Sequence, residues 1–454
     1  MFVLVKVAAA PTLWEKFPFT NTCFSIADLP DSSSVTGIMD YVRPRSNSSI
    51  PEHSSSGDLR SPDGIISWHT CHLNSGNYNR RTKLPALMIK RSQINLWSIL
   101  KQSIGKELTK ITMPIVFNEP ITFLQRIAEY MEYYELLQQA AVEENPLKRM
   151  EIVAAFAVSA LACNWERVAK PFNPLLGETY ELDRSSDLGV RIVCEQVSHH
   201  PPISAFHVDG DGFSFYGSIY PKVKFWGQSV IIEPKGVITV ELHKSTDSLF
   251  CRSQSLHDQH GVMEIVSHSS GLKCKLHFKP TSNWFGKDGT NHIEGTILSR
   301  SKTRLRSLYG EWTKFLASCD PDSYDSNFTI WGKERQSYRA RESSYKAHRS
   351  ISDDSSIDIV LPLLTGSTLL WCAKPRPSCS REYYNFTSFA MMLNEYDSER
   401  DRNIPLTDSR LRPDVRHMEN GDIEHATTEK SRLEEKQRQV TAQRKKDKNI
   451  WKPL

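Results

Sequence analysis

The first hydrophobic pattern in the chain is helical. Apolar residues between 94 and 108 recur at steps of three or four residues, and mostly polar side chains occupy the positions between them. The apolar set is Ile94, Trp97, Leu100, Ile104 and Leu108. This spacing predicts an amphipathic helix. Such a helix either packs on the core or acts as a detachable cover that touches a membrane, and the pattern fits both.

Two further helical patterns lie between residues 114 and 166. Asn118-Glu-Pro120 combines a capping residue with an early proline, which predicts the start of a helix. Asn145-Pro146 predicts a second start, and the apolar run from Ile152 to Cys163 follows it. Because the apolar residues of this run surround the helix axis, we expect the second helix to be buried.

The hydrophobic period changes at Gly189. Short runs rich in β-branched and aromatic residues follow, and Gly, Pro or Asp separates them at intervals of roughly 8–12 residues. The runs cover 190–194, 203–208, 213–219, 229–232, 237–242, 262–266, 273–278 and 292–298. Such even spacing predicts an antiparallel sheet that meanders and curves into an incomplete barrel. The fold class is therefore α+β and mainly β.

Composition divides the chain into segments. Residues 1–80 are rich in Ser and Pro and poor in apolar residues, which predicts a disordered segment. Residues 81–454 are predicted to form one domain. Its parts are a lid region at 81–113, helices at 114–166, the β-barrel at 167–331, a polar surface insertion at 335–366 and a C-terminal subdomain with a basic helix at 367–454.

Charge and cysteine content narrow the class of protein. A net charge of +4 over 454 residues is too small to indicate nucleic-acid binding, but it allows local basic patches that contact anionic membranes. No run reaches the roughly 18 apolar residues of a membrane span. The nine cysteines form no CxxC pair, and Met1–Ala10 lacks the basic start of a signal peptide. These features predict a cytosolic protein, peripheral on intracellular membranes.

The segment Ser198-His-His-Pro-Pro202 is the strongest candidate for chemistry. The two prolines end a strand, so the adjacent imidazoles need not point to opposite faces of a sheet. An imidazole with a pKa of about 6.5 gains a proton readily beside an anion, which suits a phosphate ligand. The alternatives are a turn that the histidines merely cap, a metal site, and acid–base catalysis by Glu195 with His200. No CxxC partner or GxSxG nucleophile accompanies the motif.

Two other segments offer cations. Lys170-Pro-Phe-Asn-Pro174 is held extended by its prolines and could direct Lys170 and Asn173 toward a phosphate. Lys430, Glu434 and Arg438 are four and eight residues apart, so they share one face of a predicted helix. Taken alone, the first segment also fits a structural connector, and the second fits ordinary salt bridges along a helix.

Together these segments resemble the oxysterol-binding protein-related family. Glu195–Pro202 matches the family's EQVSHHPP signature, and Lys170–Glu178 resembles its KPxNPxxGE segment. Glu429–Arg438 resembles its C-terminal basic helix. The resemblance covers residues from about 81 to 438.

The resemblance implies an apolar lipid tunnel inside the incomplete barrel, closed by an N-terminal lid helix. It implies a lipid-transfer protein that holds a sterol, such as cholesterol or an oxysterol, or a phosphoinositide, with no catalytic residue, metal or cofactor. The headgroup contacts carried over are Lys170, Asn173, His199, His200, Lys430, Glu434 and Arg438. The lid contacts are Trp97, Leu100 and Ile104. Protein partners at organelle contacts are also expected. The alternatives are a sterol sensor or scaffold with the same pocket, and a hydrolase.

The sequence also departs from the family pattern. Residues 243–260 lack the Trp- and Asn-containing strand text that relatives usually carry, so one or two barrel strands are expected to be altered. The chain ends at Leu454, where relatives continue with a Trp- and Tyr-rich tail. Residues 1–80 show no pleckstrin-homology-like domain or ankyrin repeats. We therefore expect a short form whose barrel end is incompletely closed.

Overall fold

A long antiparallel sheet organises the computed structural model. The structure describes residues 59–60, 64–74, 78, 80–89, 114–167, 169–226, 229–244, 247–257, 260–279, 291–346, 356–447, 451 and 453. The predicted lid residues Trp97, Leu100 and Ile104 lie outside these ranges. Among the helices described, none combines the length and apolar character needed to cross a bilayer.

The described strands number eighteen in chain order. They are β1 (Leu59–Arg60), β2 (Ile66–Asn74), β3 (Asn118–Thr122), β4 (Lys170–Phe172), β5 (Thr179–Arg184), β6 (Val190–Ser198), β7 (Ile203–Gly210), β8 (Phe213–Trp226), β9 (Ser229–Lys235), β10 (Ile238–Leu242), β11 (Asp247–His257), β12 (His260–Ser267), β13 (Lys273–Phe278), β14 (His292–Leu298), β15 (Arg304–Glu311), β16 (Phe315–Cys319), β17 (Ser356–Leu364) and β18 (Thr368–Cys372).

Seven α-helices accompany these strands in the described residues. They are α1 (Phe123–Ala128), α2 (Tyr134–Val142), α3 (Pro146–Ala162), α4 (Pro321–Lys346), α5 (Ser388–Met392), α6 (Pro413–Glu419) and α7 (Ile423–Lys446). Short 3-10 segments lie at Ile115–Phe117, Glu129–Tyr133, Ser378–Glu382 and Ser409–Leu411.

The main sheet is a meander in which nearly every strand pairs with its neighbour in sequence. It runs from β5 through β6, β7, β8 and β10 to β16 and then to β18, and β9 lies off this path, where it pairs with β8. The pairings along this path are antiparallel. The described path ends at β5 and β18 without a pairing between them, so no closed barrel forms. This agrees with the predicted fold class, and it extends the sheet past the predicted limit at residue 331.

Helices α1 to α3 pack against the sheet and form the largest core with it. Asn145 caps α3 by accepting hydrogen bonds from the backbone N–H of Leu147 and Lys148. The ring of Phe156 on α3 meets Phe215 on β8 edge to face, with centroids 5.3 Å apart. Burying one such aromatic side chain contributes roughly 1.5–3 kcal/mol. The prediction of a buried helix after Asn145 is therefore confirmed.

The predicted helix start at Asn118 is wrong. Residues Asn118–Thr122 form β3, which lies parallel to β4, and the helix begins at Phe123. Thr122 accepts a hydrogen bond from the backbone N–H of Gln125, whose side chain in turn accepts one from the backbone N–H of Thr122. This reciprocal capping box satisfies two backbone donors, which the Asn118-x-Pro pattern cannot do.

Two segments predicted to lack regular structure contain strands. Residues 66–74, inside the segment predicted to be disordered, form β2, which pairs along its full length with β17. The segment 335–366, predicted as a polar insertion, contains the end of α4 and all of β17. Trp331 of α4 is fully buried beneath this pair and donates from Nε1 to the carbonyl of Pro362, 2.7 Å away. β17 is rich in apolar residues, but polar residues dominate the rest of 335–366 and its partner strand lies almost 300 residues away in sequence, so composition alone hid the pair.

The segment 243–260 retains its strand. β11 pairs with β10 on one side and with β12 on the other, as an ordinary member of the sheet. Its register shifts between Gln254 and His257, where a β-bulge or irregularity interrupts the ladder. In the backbone described, the expected alteration is thus limited to this irregularity.

Candidate functional site

The two histidines of the candidate motif lie where β6 ends. The turn His199-His-Pro-Pro202 connects β6 to β7, and the two rings meet edge to face with centroids 4.6 Å apart. His199 is partly buried and has a backbone hydrogen bond to Pro174. Its Nδ1 atom is buried without a hydrogen-bond partner in the described residues. Burial lowers the pKa of His199, and the neighbouring His200 lowers it further.

Lys170 stands at the start of β4 and belongs to the same group of side chains. Burial lowers the pKa of Lys170 to about 8, and the ammonium group of Lys430 lowers it further. The carboxylate of Glu434 acts against these shifts and raises the pKa of both Lys170 and His199. Residues from β4, from the turn after β6 and from α7 therefore lie close enough together to shift one another's pKa values.

Helix α7 supplies the third part of this group. Lys430 is 6% exposed, and its Nζ atom lies 2.6 Å from Oε1 of Glu434. Two ammonium groups therefore share the field of one carboxylate; Lys430 is buried, whereas Lys170 and Glu434 are half-buried. We call Lys170, His199, Lys430 and Glu434 the buried cationic cluster. Its ammonium and imidazole nitrogens are groups that donate charge-assisted hydrogen bonds to a phosphate.

The remaining predicted contacts lie at the edge of the cluster or outside it. His200 adjoins His199 and is exposed. Asn173 is also exposed, and its backbone carbonyl accepts a hydrogen bond from Arg412. Arg438 is 58% exposed and pairs with Glu435 rather than with Glu434. The structure thus brings four of the seven predicted headgroup residues together, with His200 beside them.

The loop after β4 is fixed by a buried ion pair that the sequence analysis did not identify. Glu178 accepts hydrogen bonds from Arg412, Ser409 and the backbone N–H of Leu175. Arg412 also binds the carboxylate of Asp414. Burial raises the pKa of Glu178, while Arg412 acts against that rise. The only sequence signal was the Glu of the KPxNPxxGE segment, since Arg412 is 234 positions away.

Two further contacts hold α7 and β6 against this loop. The side chain of Gln437 on α7 accepts a hydrogen bond from the backbone N–H of Leu176. Gly177 and Glu178 exchange backbone hydrogen bonds with Gln196 on β6. The loop therefore bridges the strand that carries the histidines and the helix that carries Lys430. It sets the spacing of the buried cationic cluster.

Fold and site together define a class of protein. An open antiparallel sheet packed on helices carries a partly buried group of protonatable nitrogens at the end of β6, an arrangement that suits a binding domain for a ligand with an anionic group.

The family follows from comparison. The sequence profile described as Oxysterol-binding protein matches residues 95–454, and the chain belongs to this family. Its members bind and transfer lipids and are not enzymes, which removes the hydrolase alternative.

Relatives in animals cover the chain to different extents. The chain is 49% identical over 396 residues to human oxysterol-binding protein-related protein 1, which covers 84% of this chain and 41% of that protein. It is 44% identical over 457 residues to mouse oxysterol-binding protein-related protein 2, covering 96% of this chain and 90% of that protein. The chain thus spans about two fifths of the first relative and nearly all of the second.

Solved structures confirm the fold class. The ORD domain of Osh1 in complex with cholesterol matches with a TM-score of 0.65 at 29% identity, covering 84% of this chain and 87% of that one. The ORD of Osh3 from Saccharomyces cerevisiae in complex with PI(4)P matches with a TM-score of 0.61 at 27% identity, covering 82% and 89%.

Proposed function

We propose that this protein encloses either a sterol or a phosphoinositide in one tunnel and exchanges the two lipids between membranes. The observation that carries the proposal is the buried cationic cluster, because it brings the nitrogens of two lysines and a histidine together, and such groups donate charge-assisted hydrogen bonds to a phosphate. The cholesterol complex of Osh1 and the PI(4)P complex of Osh3 support these two ligand classes.

In this proposal the headgroup is held by Lys170, His199, His200, Lys430 and Glu434. Asn173 and Arg438 join them from the rim when ligand is present, Arg438 by exchanging its surface pairing with Glu435 for the phosphate. An exposed ion pair contributes at most about 1 kcal/mol, so this exchange costs little. The lid residues Trp97, Leu100 and Ile104 cover the apolar part of the ligand.

Enclosure matters because of the size of the hydrophobic effect. Exposing ~500 Å² of sterol surface to water costs about 12 kcal/mol at 25 cal/mol per Å². A tunnel that buries the same area makes extraction from a membrane nearly neutral. Two lipids that compete for one tunnel then permit counter-exchange, and a phosphoinositide gradient sets the direction of sterol flow.

The proposed setting is the cytosol, with peripheral contact to anionic intracellular membranes and to protein partners at organelle contacts. The mild net charge with a locally cationic site fits short visits to such surfaces.

Transfer between liposomes tests the exchange. Donor liposomes carry a fluorescent sterol, and acceptor liposomes contain or lack phosphatidylinositol 4-phosphate. We expect the phosphoinositide to accelerate sterol transfer several-fold. Unchanged sterol flux would overturn the exchange mechanism, and sterol binding without flux would favour a sensor or scaffold with the same pocket.

A paired substitution tests the headgroup site itself. His199→Ala with His200→Ala should abolish phosphoinositide binding and leave sterol binding largely intact. His207→Ala is a matched control, because His207 is exposed on β7 and pairs with Asp209. Equal loss of both lipids in the double variant, with normal folding, would contradict a separate headgroup site. Native mass spectrometry of co-purified lipids identifies the tunnel ligand.

A further inference from the structure

Three metal-ligating side chains meet where α6 turns into α7. His417 lies in the last turn of α6, Asp422 is the N-cap of α7, and His425 lies in the first turn of α7. Gly421 adopts a positive φ of 80° between the two helices, which lets the chain reverse tightly enough to bring them together. This junction is distinct from the residues of the buried cationic cluster.

The two imidazoles converge on one carboxylate oxygen. Nδ1 of His417 lies 3.2 Å from Oδ2 of Asp422, and Nδ1 of His425 lies 2.8 Å from the same oxygen. The two rings are stacked with centroids 5.4 Å apart. A ligand atom from each of the three residues lies within 4.8 Å of those of the other two. Nδ1 of His425 also lies 2.9 Å from Oδ1 of Asp422, so both imidazoles and both carboxylate oxygens face one small space.

These separations are close to those of a tetrahedral metal site. Zn²⁺ binds imidazole nitrogen and carboxylate oxygen at about 2.0–2.2 Å, so neighbouring ligand atoms of a tetrahedral ion lie roughly 3.3 Å apart. The two nitrogen–oxygen distances, 2.8 and 3.2 Å, differ from this value by a few tenths of an ångström, and the ligand nitrogens of the two histidines lie within 4.8 Å of each other. His417 and Asp422 are more than one third exposed and His425 is mostly exposed, so an ion can enter from solvent.

We propose that His417, Asp422 and His425 bind a divalent transition-metal ion, with Zn²⁺ as the best fit. Two imidazoles and one carboxylate suit Zn²⁺, Co²⁺ or Ni²⁺ rather than Mg²⁺ or Ca²⁺, which prefer oxygen ligands. Water completes the coordination. Glu429 lies one turn beyond His425 and interacts electrostatically with both histidines, and it adds negative charge beside the ion.

The bound ion would join the end of α6 to the start of α7. Asp422 already caps α7 through the backbone N–H of His425, so the metal adds a second link at the same turn. This proposal is independent of the proposed lipid exchange, because its ligands lie outside the cluster and its readout is the metal itself.

Metal binding to tag-free protein tests the site. Zn²⁺ affinity is measured by competition with a chromogenic chelator, and Co²⁺ binding by its visible absorption. We expect wild-type protein to bind one ion at this site with micromolar affinity. His417→Gln with His425→Gln, and separately Asp422→Asn, should weaken binding at least ten-fold.

A matched control separates this site from general histidine binding. His207→Gln with His243→Gln removes two exposed histidines, one on β7 and one in the turn after β10, and this variant should bind Zn²⁺ as the wild type does. Zn²⁺ should also raise the melting temperature of the wild type and the control, and not that of the His417/His425 variant. Equal affinity in all variants, or loss in the control alone, would overturn the proposal.

Discussion

Replacing Lys170 should increase stability while removing phosphoinositide binding. Burial lowers the pKa of Lys170 from 10.5 to about 8, and the ammonium of Lys430 adds to the effect. At pH 7 the folded protein therefore carries a charged lysine at a cost of roughly 3 kcal/mol, at 1.36 kcal/mol per pKa unit. Lys170→Met removes this cost and keeps an apolar chain of similar length.

The pH dependence has a definite sign. Between pH 8 and 10.5 the unfolded chain binds more protons at Lys170 than the folded protein does, so the wild type gains stability as pH rises through this window. The advantage of Lys170→Met should therefore be largest at pH 7 and should shrink toward pH 10.5. For the same reason, phosphoinositide affinity of the wild type should decline above about pH 8, where Lys170 loses its proton.

Urea denaturation at several pH values measures this difference, with Lys148→Met as the control. Lys148 is exposed on α3, so its replacement should change stability little and equally at each pH. A destabilised Lys170→Met, or a stability difference that does not vary with pH, would refute the argument. Headgroup binding that survives in Lys170→Met would show that the lysine does not contact the phosphate.

Three other substitutions test the surrounding structure. Glu132→Gln should stabilise the protein at pH 8 by roughly 3 kcal/mol and should have no such effect at pH 4. Burial raises the pKa of Glu132 to about 7, so the wild type loses stability as pH rises from 4.5 through 7. Urea denaturation of both proteins at the two pH values measures the difference. Arg412→Ala should cost about 3–5 kcal/mol in urea unfolding because it strands Glu178, and Glu178→Gln in addition should recover part of that; a cost under about 1 kcal/mol would contradict it. Trp331→Ala should lower the free energy of unfolding by about 3–5 kcal/mol and expose β2 to proteolysis, because Trp331 packs in the core beneath β2 and β17. A variant in which β2 stays resistant to protease would contradict this.

The sequence predicted those parts of the fold whose contacts join elements that are neighbours along the chain. The strands after Gly189 alternate apolar and polar residues and pair with sequence neighbours, so their periodicity sufficed. β2 and β17 pair across almost 300 residues of sequence, so neither strand has its partner nearby, and the polar residues before β17 make the segment 335–366 resemble a surface insertion. The predicted helix start at Asn118 is wrong because Pro120 lies within β3, and the pairing of β3 with β4 is a tertiary contact that the Asn-x-Pro pattern does not reveal.

The residues of the candidate site also fall into two groups, those that lie in local motifs and those whose role depends on distant contacts. His199, Lys170 and Lys430 lie in short motifs whose residue types match phosphate chemistry, so sequence identified them. Arg412 could not be found this way, since its role depends on a buried carboxylate far away in sequence. The metal-ligating junction was missed because His417 and His425 belong to different helices, and only the turn at Gly421 unites them.

The stability cost of the cluster and the rigidity of its surroundings have one physical origin. Lys170 and Lys430 repel each other in a space that water reaches poorly, so they would separate unless the backbone held them. Glu178 and Arg412 hold the loop after β4, and Gln437 ties that loop to α7. The backbone therefore holds the two ammonium groups close together before the ligand binds. A bound phosphate then lowers the repulsion between them without any cost of bringing them together.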